Sequence, residues 1–260
     1  MNTTCAGPIL TCAELAERLG GALRNCPGDR VIGEVRPLEE AHASSLSFLA
    51  NPKYRAKALE IDWAALSSEW RGLYRSVLDE IIAGRRAWLR VDRIYREVLD
   101  TLLEHQGLSG HFTTAERDEL NLVWTRLDPW PDSVEGLTRL RRRFVTSTLS
   151  NAGMPAMVAV VKHAGLPFDA VLTAELAHSY KPAPAVYQLA VDYLGYRPDE
   201  ILMVACHKYD LKAAHAFGMR TAFVARPLEF GPNARPDIAP EPWFDLHANS
   251  FVELAEALGA

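Results

Sequence analysis

The sequence predicts an α/β fold: a Rossmann-like parallel sheet from about residue 128 to 260, a helical segment before it, and a small α+β fragment at the front. Three observations carry that expectation. After Trp130, β-branched runs alternate with helices of about ten residues, as right-handed crossovers in a parallel sheet require. From Ile61 to about Leu127, large apolar side chains recur at helical spacing without strand alternation. Ile201–Ala205 is apolar throughout, which predicts a strand buried on both faces.

At the front, Thr11 with Glu14 forms a capping box, and Leu15 and Leu19 continue that helix to the breaking pair Gly20-Gly21. Arg30–Val35 and Ser44–Ala50 read as short strands, the second ending at the turn former Asn51-Pro52. In the helical stretch, Trp63, Trp70 and Tyr74 share a face, and Val91–Leu103 is a further amphipathic run. Beyond Trp130 the order is strand Arg143–Leu149, a helix through Met157 and Val161 to Gly165, strand Asp169–Leu172, and a helix from Pro184 to Gly195. Strand Ile201–Ala205, a helix from Asp210 to Gly218, and strand Thr221–Val224 follow. The domains expected are therefore 1–60, 61–127 and 128–260.

Composition narrows the function. The 260 residues carry 28 basic against 33 acidic side chains, a net charge of -5 and a pI near 5.9, which argues against a nucleic-acid-binding stripe. No apolar run approaches the roughly 18–20 residues that span a bilayer. Met1–Leu10 lacks a basic stretch followed by an apolar one, so no leader is expected. Cys5, Cys12, Cys26 and Cys206 make no disulfide framework and read as reduced thiols, which predicts a cytoplasmic setting.

Ligands of parallel sheets sit beyond the carboxyl ends of the strands. Ser150, Asn151, Lys181, Cys206, His207 and Asp210 all fall at such ends. Each piece has a plain alternative. Ser150-Asn151-Ala152-Gly153 is ordinary turn composition, Lys181 in a loop is commonly just solvated, and Asp210 serves equally as the N-cap of the next helix. Their order along the chain is more specific than any one of them.

Glu69-Trp-Arg71, Leu127-Asp-Pro-Trp-Pro131, Leu149-Ser-Asn151, Tyr180-Lys-Pro182 with Tyr187, His207-Lys-Tyr-Asp210 and Pro240-Glu-Pro-Trp-Phe-Asp245 together resemble the type II 2-haloacid dehalogenases of the haloacid dehalogenase superfamily. The resemblance spans about residues 61–259. It implies a Rossmann-like core with a helical cap inserted after the first strand. It also implies a small 2-haloacid or similar small carboxylate as substrate, attacked at the halogen-bearing carbon by an aspartate whose ester is then hydrolysed. Carried over by motif, Arg71 meets the departing halide and holds substrate, while Ser150 and Asn151 bind the substrate carboxylate or the nucleophile. Lys181 keeps the attacking carboxylate ionised, Tyr187 supports the site, and Asp210 orients water or Lys181. His207 stands where relatives often have asparagine. The loop offers one acidic group where magnesium-dependent phosphatase relatives present two, so neither metal nor cofactor is expected. A homodimer is a further implication of the family.

The family's opening strand, ending in Asp-x-x-Gly-Thr, is not found in the first sixty residues. Without an attacking carboxylate, covalent displacement has no first step. Ser150 and Cys206 are poor substitutes, because the sequence shows no adjacent base with triad geometry. In place of that strand, Leu10–Gly21, Val31–Val35 and Leu46-Ser-Phe-Leu-Ala-Asn-Pro-Lys-Tyr54 resemble the N-terminal uridine-binding domain of UDP-3-O-acylglucosamine N-acyltransferase. That resemblance implies a uracil sandwiched by Phe48 and Tyr54 near Asn51, hence a uridine nucleotide as a second ligand. No hexapeptide repeat follows, so acyl transfer is not expected. The chain reads as a gene fusion: an impaired dehalogenase-like hydrolase, with a uridine-binding module or a non-functional fusion product as the alternative. Val31–Val35 or Leu46–Leu49 is expected to fill the vacant strand position.

Overall fold

The computed structural model describes residues 10–18, 29, 31–32, 34–35, 45–46, 61–231 and 233–260. The chain divides into two compact units, Met1–Leu66 and Ser67–Ala260.

In the first unit, β1 (Leu10–Thr11) pairs antiparallel with β2 (Val31–Ile32), and β3 (Glu34–Val35) pairs parallel with β4 (Ser45–Leu46). Helix α1 (Cys12–Arg18) starts on the expected capping box: the Glu14 amide donates to Thr11 Oγ1 at 3.3 Å, and the Thr11 amide donates to Glu14 Oε2 at 2.7 Å. Phe48, Asn51, Tyr54 and the Gly20-Gly21 stop lie outside the described residues.

Helix α2 (Trp63–Ile82) opens at Asp62, whose Oδ1 accepts from the Ala65 amide at 3.0 Å. The second unit takes over within α2 and continues with α3 (Val91–His105) and α4 (Thr114–Asn121). Val91, Ile94, Val98, Leu99, Leu102 and Leu103 line the buried stripe of α3, at the three- and four-residue spacing that keeps side chains on one face. Trp70, fully buried, donates from Nε1 to the Tyr95 carbonyl at 2.8 Å, and the rings of Tyr74, Tyr95 and Trp124 stack around it.

The α/β part follows: α5 (Ser133–Arg141), β5 (Ser147–Ser150), α6 (Met154–His163), β6 (Ala170–Thr173), α7 (Pro184–Leu194), β7 (Leu202–Ala205), α8 (Lys208–Phe217), β8 (Arg220–Val224), β9 (Leu246–Ala248) and α9 (Phe251–Ala257). Among the described residues its strand pairings are all parallel, in two sheets: β5–β6 and β7–β8–β9. Alternation along β8 builds the core. Phe223 packs with Tyr187, Leu211 and Met219 on one face, while Ala222 and Val224 pack with Leu140, Ala248 and Leu254 on the other.

Three expectations need correcting. The strand expected at Arg143–Leu149 begins only at Ser147, because Arg143 and Phe144 still close the turn after α5 onto the Leu140 carbonyl. β7 is not buried throughout; Met203 alone is buried, because among the described residues β7 pairs with β8 only and its other side ends the sheet. The strand-filling role foreseen for the front segments is also absent from the described pairings. Val31–Ile32 and Glu34–Val35 pair with other front strands, and β5 pairs with β6.

Candidate active site

The candidate residues gather at the carboxyl ends of β5, β6 and β7. At their centre is an ion pair. Lys181 Nζ lies 2.5 Å from Asp210 Oδ2, with side chains only 13% and 5% exposed. Tyr187, buried on α7, donates from its hydroxyl to Asp210 Oδ1 at 2.7 Å. Burial, with the Asp210 charge beside it, raises the Tyr187 hydroxyl well above the ordinary phenol value, so it stays a donor. Both carboxylate oxygens of Asp210 are thus engaged, and Lys181 is fixed in direction.

This arrangement settles two readings. Asp210 is not the helix cap; His207 is the N-cap residue of α8, and Asp210 sits one turn in with its side chain turned to Lys181. Lys181 is not solvated, because a buried partner holds it. Tyr187, carried over as a support of the site and as a substrate-binding residue, is buried and gives its hydroxyl to Asp210.

The β5 end sets the other wall. Asn151 Oδ1 accepts from the Lys181 amide at 2.8 Å, tying the Ser150-Asn151 turn to the lysine loop. Ser150 Oγ accepts from the Ala152 amide at 3.1 Å and so braces its own turn, leaving its hydroxyl proton to give. Glu175, after β6, accepts from the Met154 amide at 2.6 Å, where the first turn of α6 has amides to spare.

A second cluster forms around a residue the sequence reading did not single out. Glu229, 16% exposed in the loop after β8, meets Arg71 Nη2 at 3.2 Å and His207 Nε2 at 2.9 Å, and Cys206 Sγ lies 3.6 Å from its Oε2. The Arg71 guanidinium, 51% exposed, also lies over the Phe230 ring at 5.5 Å from its centroid. The His207 imidazole is pushed up to about 10, first by its hydrogen bonding with Cys206 and then by Glu229, both outweighing burial. Burial alone would raise Glu229, but its bond to His207 and the charges of His207 and Arg71 hold it below the usual carboxylate range. Nothing in Pro227-Leu-Glu-Phe230 marks Glu229 by motif, although its loop also follows a strand end.

The strand ends of a parallel α/β core thus carry a buried Lys–Asp pair, and an arginine from a helical segment faces the loop after β8. The chain matches the haloacid dehalogenase-like hydrolase family over residues 29–218, more than half its length, and belongs to that family. It is 33% identical over 191 residues to (S)-2-haloacid dehalogenase 4A of Burkholderia cepacia, covering 72% of each chain. It is 30% identical over 176 residues to the (S)-2-haloacid dehalogenase of Pseudomonas sp. (strain YL), covering 66% of this chain and 68% of that one. Among solved structures, a defluorinating L-2-haloacid dehalogenase superposes with a TM-score of 0.77 at 36% identity, over 80% of this chain and 86% of that one. The fold is the haloacid dehalogenase type, as the sequence predicts. The family match begins at residue 29, well ahead of the 61 at which the sequence resemblance starts.

Proposed function

We propose that the chain is a hydrolase of the 2-haloacid dehalogenase group, built to hold a small 2-haloacid or similar small carboxylate, and impaired in its first chemical step. The observation that carries this is the Lys181–Asp210–Tyr187 framework, set between the turn bearing Ser150 and Asn151 and the loop bearing Cys206 and His207. The relatives, (S)-2-haloacid dehalogenases, supply the substrate class. In this reading the Lys181 ammonium, aimed by Asp210, provides the fixed positive charge for an attacking carboxylate and for the carboxylate of the substrate. The Ser150 hydroxyl and the amides of its turn add donors, and Arg71 takes the departing halide.

In the family reaction a carboxylate oxygen bonds to the carbon as the carbon–halogen bond breaks and halide leaves; water then cleaves the ester. The chain has no Asp-x-x-Gly-Thr to start this. Two features support that vacancy: β7 pairs on one side only among the described residues, and β5 belongs to a separate two-stranded sheet. The domain reading stays with this proposal, as a front fragment 1–60, a cap 61–127 and a core 128–260.

The test is halide release from L-2-chloropropionate by the purified full chain. Little or no release is expected, and robust release lost in Lys181→Ala overturns the impairment by showing that another carboxylate attacks. For residues 1–60 the proposed ligand is a uridine nucleotide, and titration with UDP, compared with Phe48→Ala, reads it independently of any halide.

A further inference from the structure

No metal is expected from the sequence, yet three ligand types meet at the Glu229 loop. Single ligand atoms of Cys206, His207 and Glu229 all lie within 4.8 Å of one another. Glu229 Oε2 lies 3.6 Å from Cys206 Sγ and 3.1 Å from His207 Nε2, while Oε1 lies 2.9 Å from His207 Nε2 and 3.2 Å from Arg71 Nη2. We propose that Cys206 Sγ, His207 Nε2 and Glu229 Oε2 form a binding site for a divalent cation of the zinc class.

Geometry and ligand chemistry argue for it together. Zinc bonds of about 2.0–2.3 Å place neighbouring ligands of a tetrahedron about 3.3–3.6 Å apart. The sulfur–oxygen edge already has that length, and the nitrogen–oxygen edge needs to open by only about 0.3 Å. A thiolate beside an imidazole is the wrong donor set for magnesium or calcium, which take oxygen, and the right one for zinc. The outer contacts suit the role as well. Arg71 holds the remaining carboxylate oxygen, and the Tyr209 ring stacks on His207 at 5.5 Å, so two ligands are oriented before a metal arrives. Binding expels the Cys206 thiol proton and the proton on His207 Nε2 to solvent, and leaves a fourth position for water or a small anion.

The probe is Co²⁺ alone, added to the metal-free full chain, with Zn²⁺ calorimetry beside it. One equivalent of cobalt is expected to give a thiolate-to-cobalt charge-transfer band. Cys206→Ser should abolish that band, and the combined Cys5→Ser, Cys12→Ser and Cys26→Ser variant should keep it. Glu229→Gln should weaken zinc binding about ten-fold or more, at least the loss that follows removal of an outer-shell partner. A second readout needs no variant: zinc should protect Cys206 of the unaltered chain from iodoacetamide, located by peptide mass spectrometry. No band, a band that survives Cys206→Ser, or alkylation of Cys206 unchanged by zinc overturns the proposal and leaves a hydrogen-bonded ion pair only.

Discussion

At the scale of single residues, the Lys181–Asp210 pair combines burial with charge. Removing one partner of such a pair leaves an ion in poor solvent, at a cost of about 3–5 kcal/mol. Asp210→Asn is therefore expected to lower stability by about that much, read as a drop in the urea midpoint with an unchanged slope. Tyr187→Phe keeps the ring's packing and loses only the bond to the carboxylate; about 1.5–3 kcal/mol is expected by the same measurement. A Tyr187→Phe loss equal to that of Asp210→Asn would show that the hydroxyl, and not the ion pair, holds the site together. Sequence order located Lys181, Tyr187 and Asp210 one at a time. What it could not supply was their mutual orientation, since the two side chains that hold Asp210 lie 23 and 29 residues before it. Glu229 was missed for the opposite reason: its loop has no patterned chemistry, and its importance arises from Arg71, 158 residues earlier.

At the scale of elements, α5 and α9 meet at Gly136. A Cβ built there would lie 2.5 Å from the Phe251 carbonyl carbon and 2.7 Å from its oxygen, both backbone atoms that cannot swing aside. Gly136→Ala is expected to cost about 1–3 kcal/mol in a thermal melt, against the usual helix preference for alanine. Asp132 ties the same two helices: its Oδ2 accepts from the Phe251 amide at 2.6 Å and from Arg226 Nη2 at 2.9 Å. Burial opposes ionisation of Asp132, but the Phe251 amide and Arg226 outweigh it and keep its pKa below the ordinary 3.8. A depressed carboxylate stabilises the fold above its unfolded pKa, and that contribution fades as pH falls through the folded value. Stability should therefore decline on acidification below about pH 4, with a shallower decline in Asp132→Asn, checked by denaturation at stepped pH. The elements themselves were largely legible, because the period of apolar residues and the glycines at positions 195 and 218, both with positive φ, fix helices and their ends locally. β9 and α9 were not, since Leu246–Ala248 is three residues long and gains strand character only by pairing with β8.

At the scale of the molecule, parallel order was readable from strand–helix alternation, but the division into two sheets was not. Among the described residues no strand joins β5 to β7, and pairing across a sheet is a long-range property. The proposed impairment makes a prediction. A synthetic peptide carrying an apolar strand followed by Asp-x-x-Gly-Thr, added in excess, is expected to restore halide release from L-2-chloropropionate, whereas its Asp→Asn counterpart should not. Binding of both peptides without release would place the defect elsewhere than in the missing carboxylate.

The pairing of α5 with α9 also bears on how the chain is made. Leu140 and the Ala222–Val224 face of β8 are covered by Leu254 and Ala255, which come far later in the chain than Leu140. Synthesis must therefore run through Phe251–Ala257 before that half of the core can close, and a nascent chain paused before Phe251 carries its apolar surface uncovered into the range of chaperones and proteases.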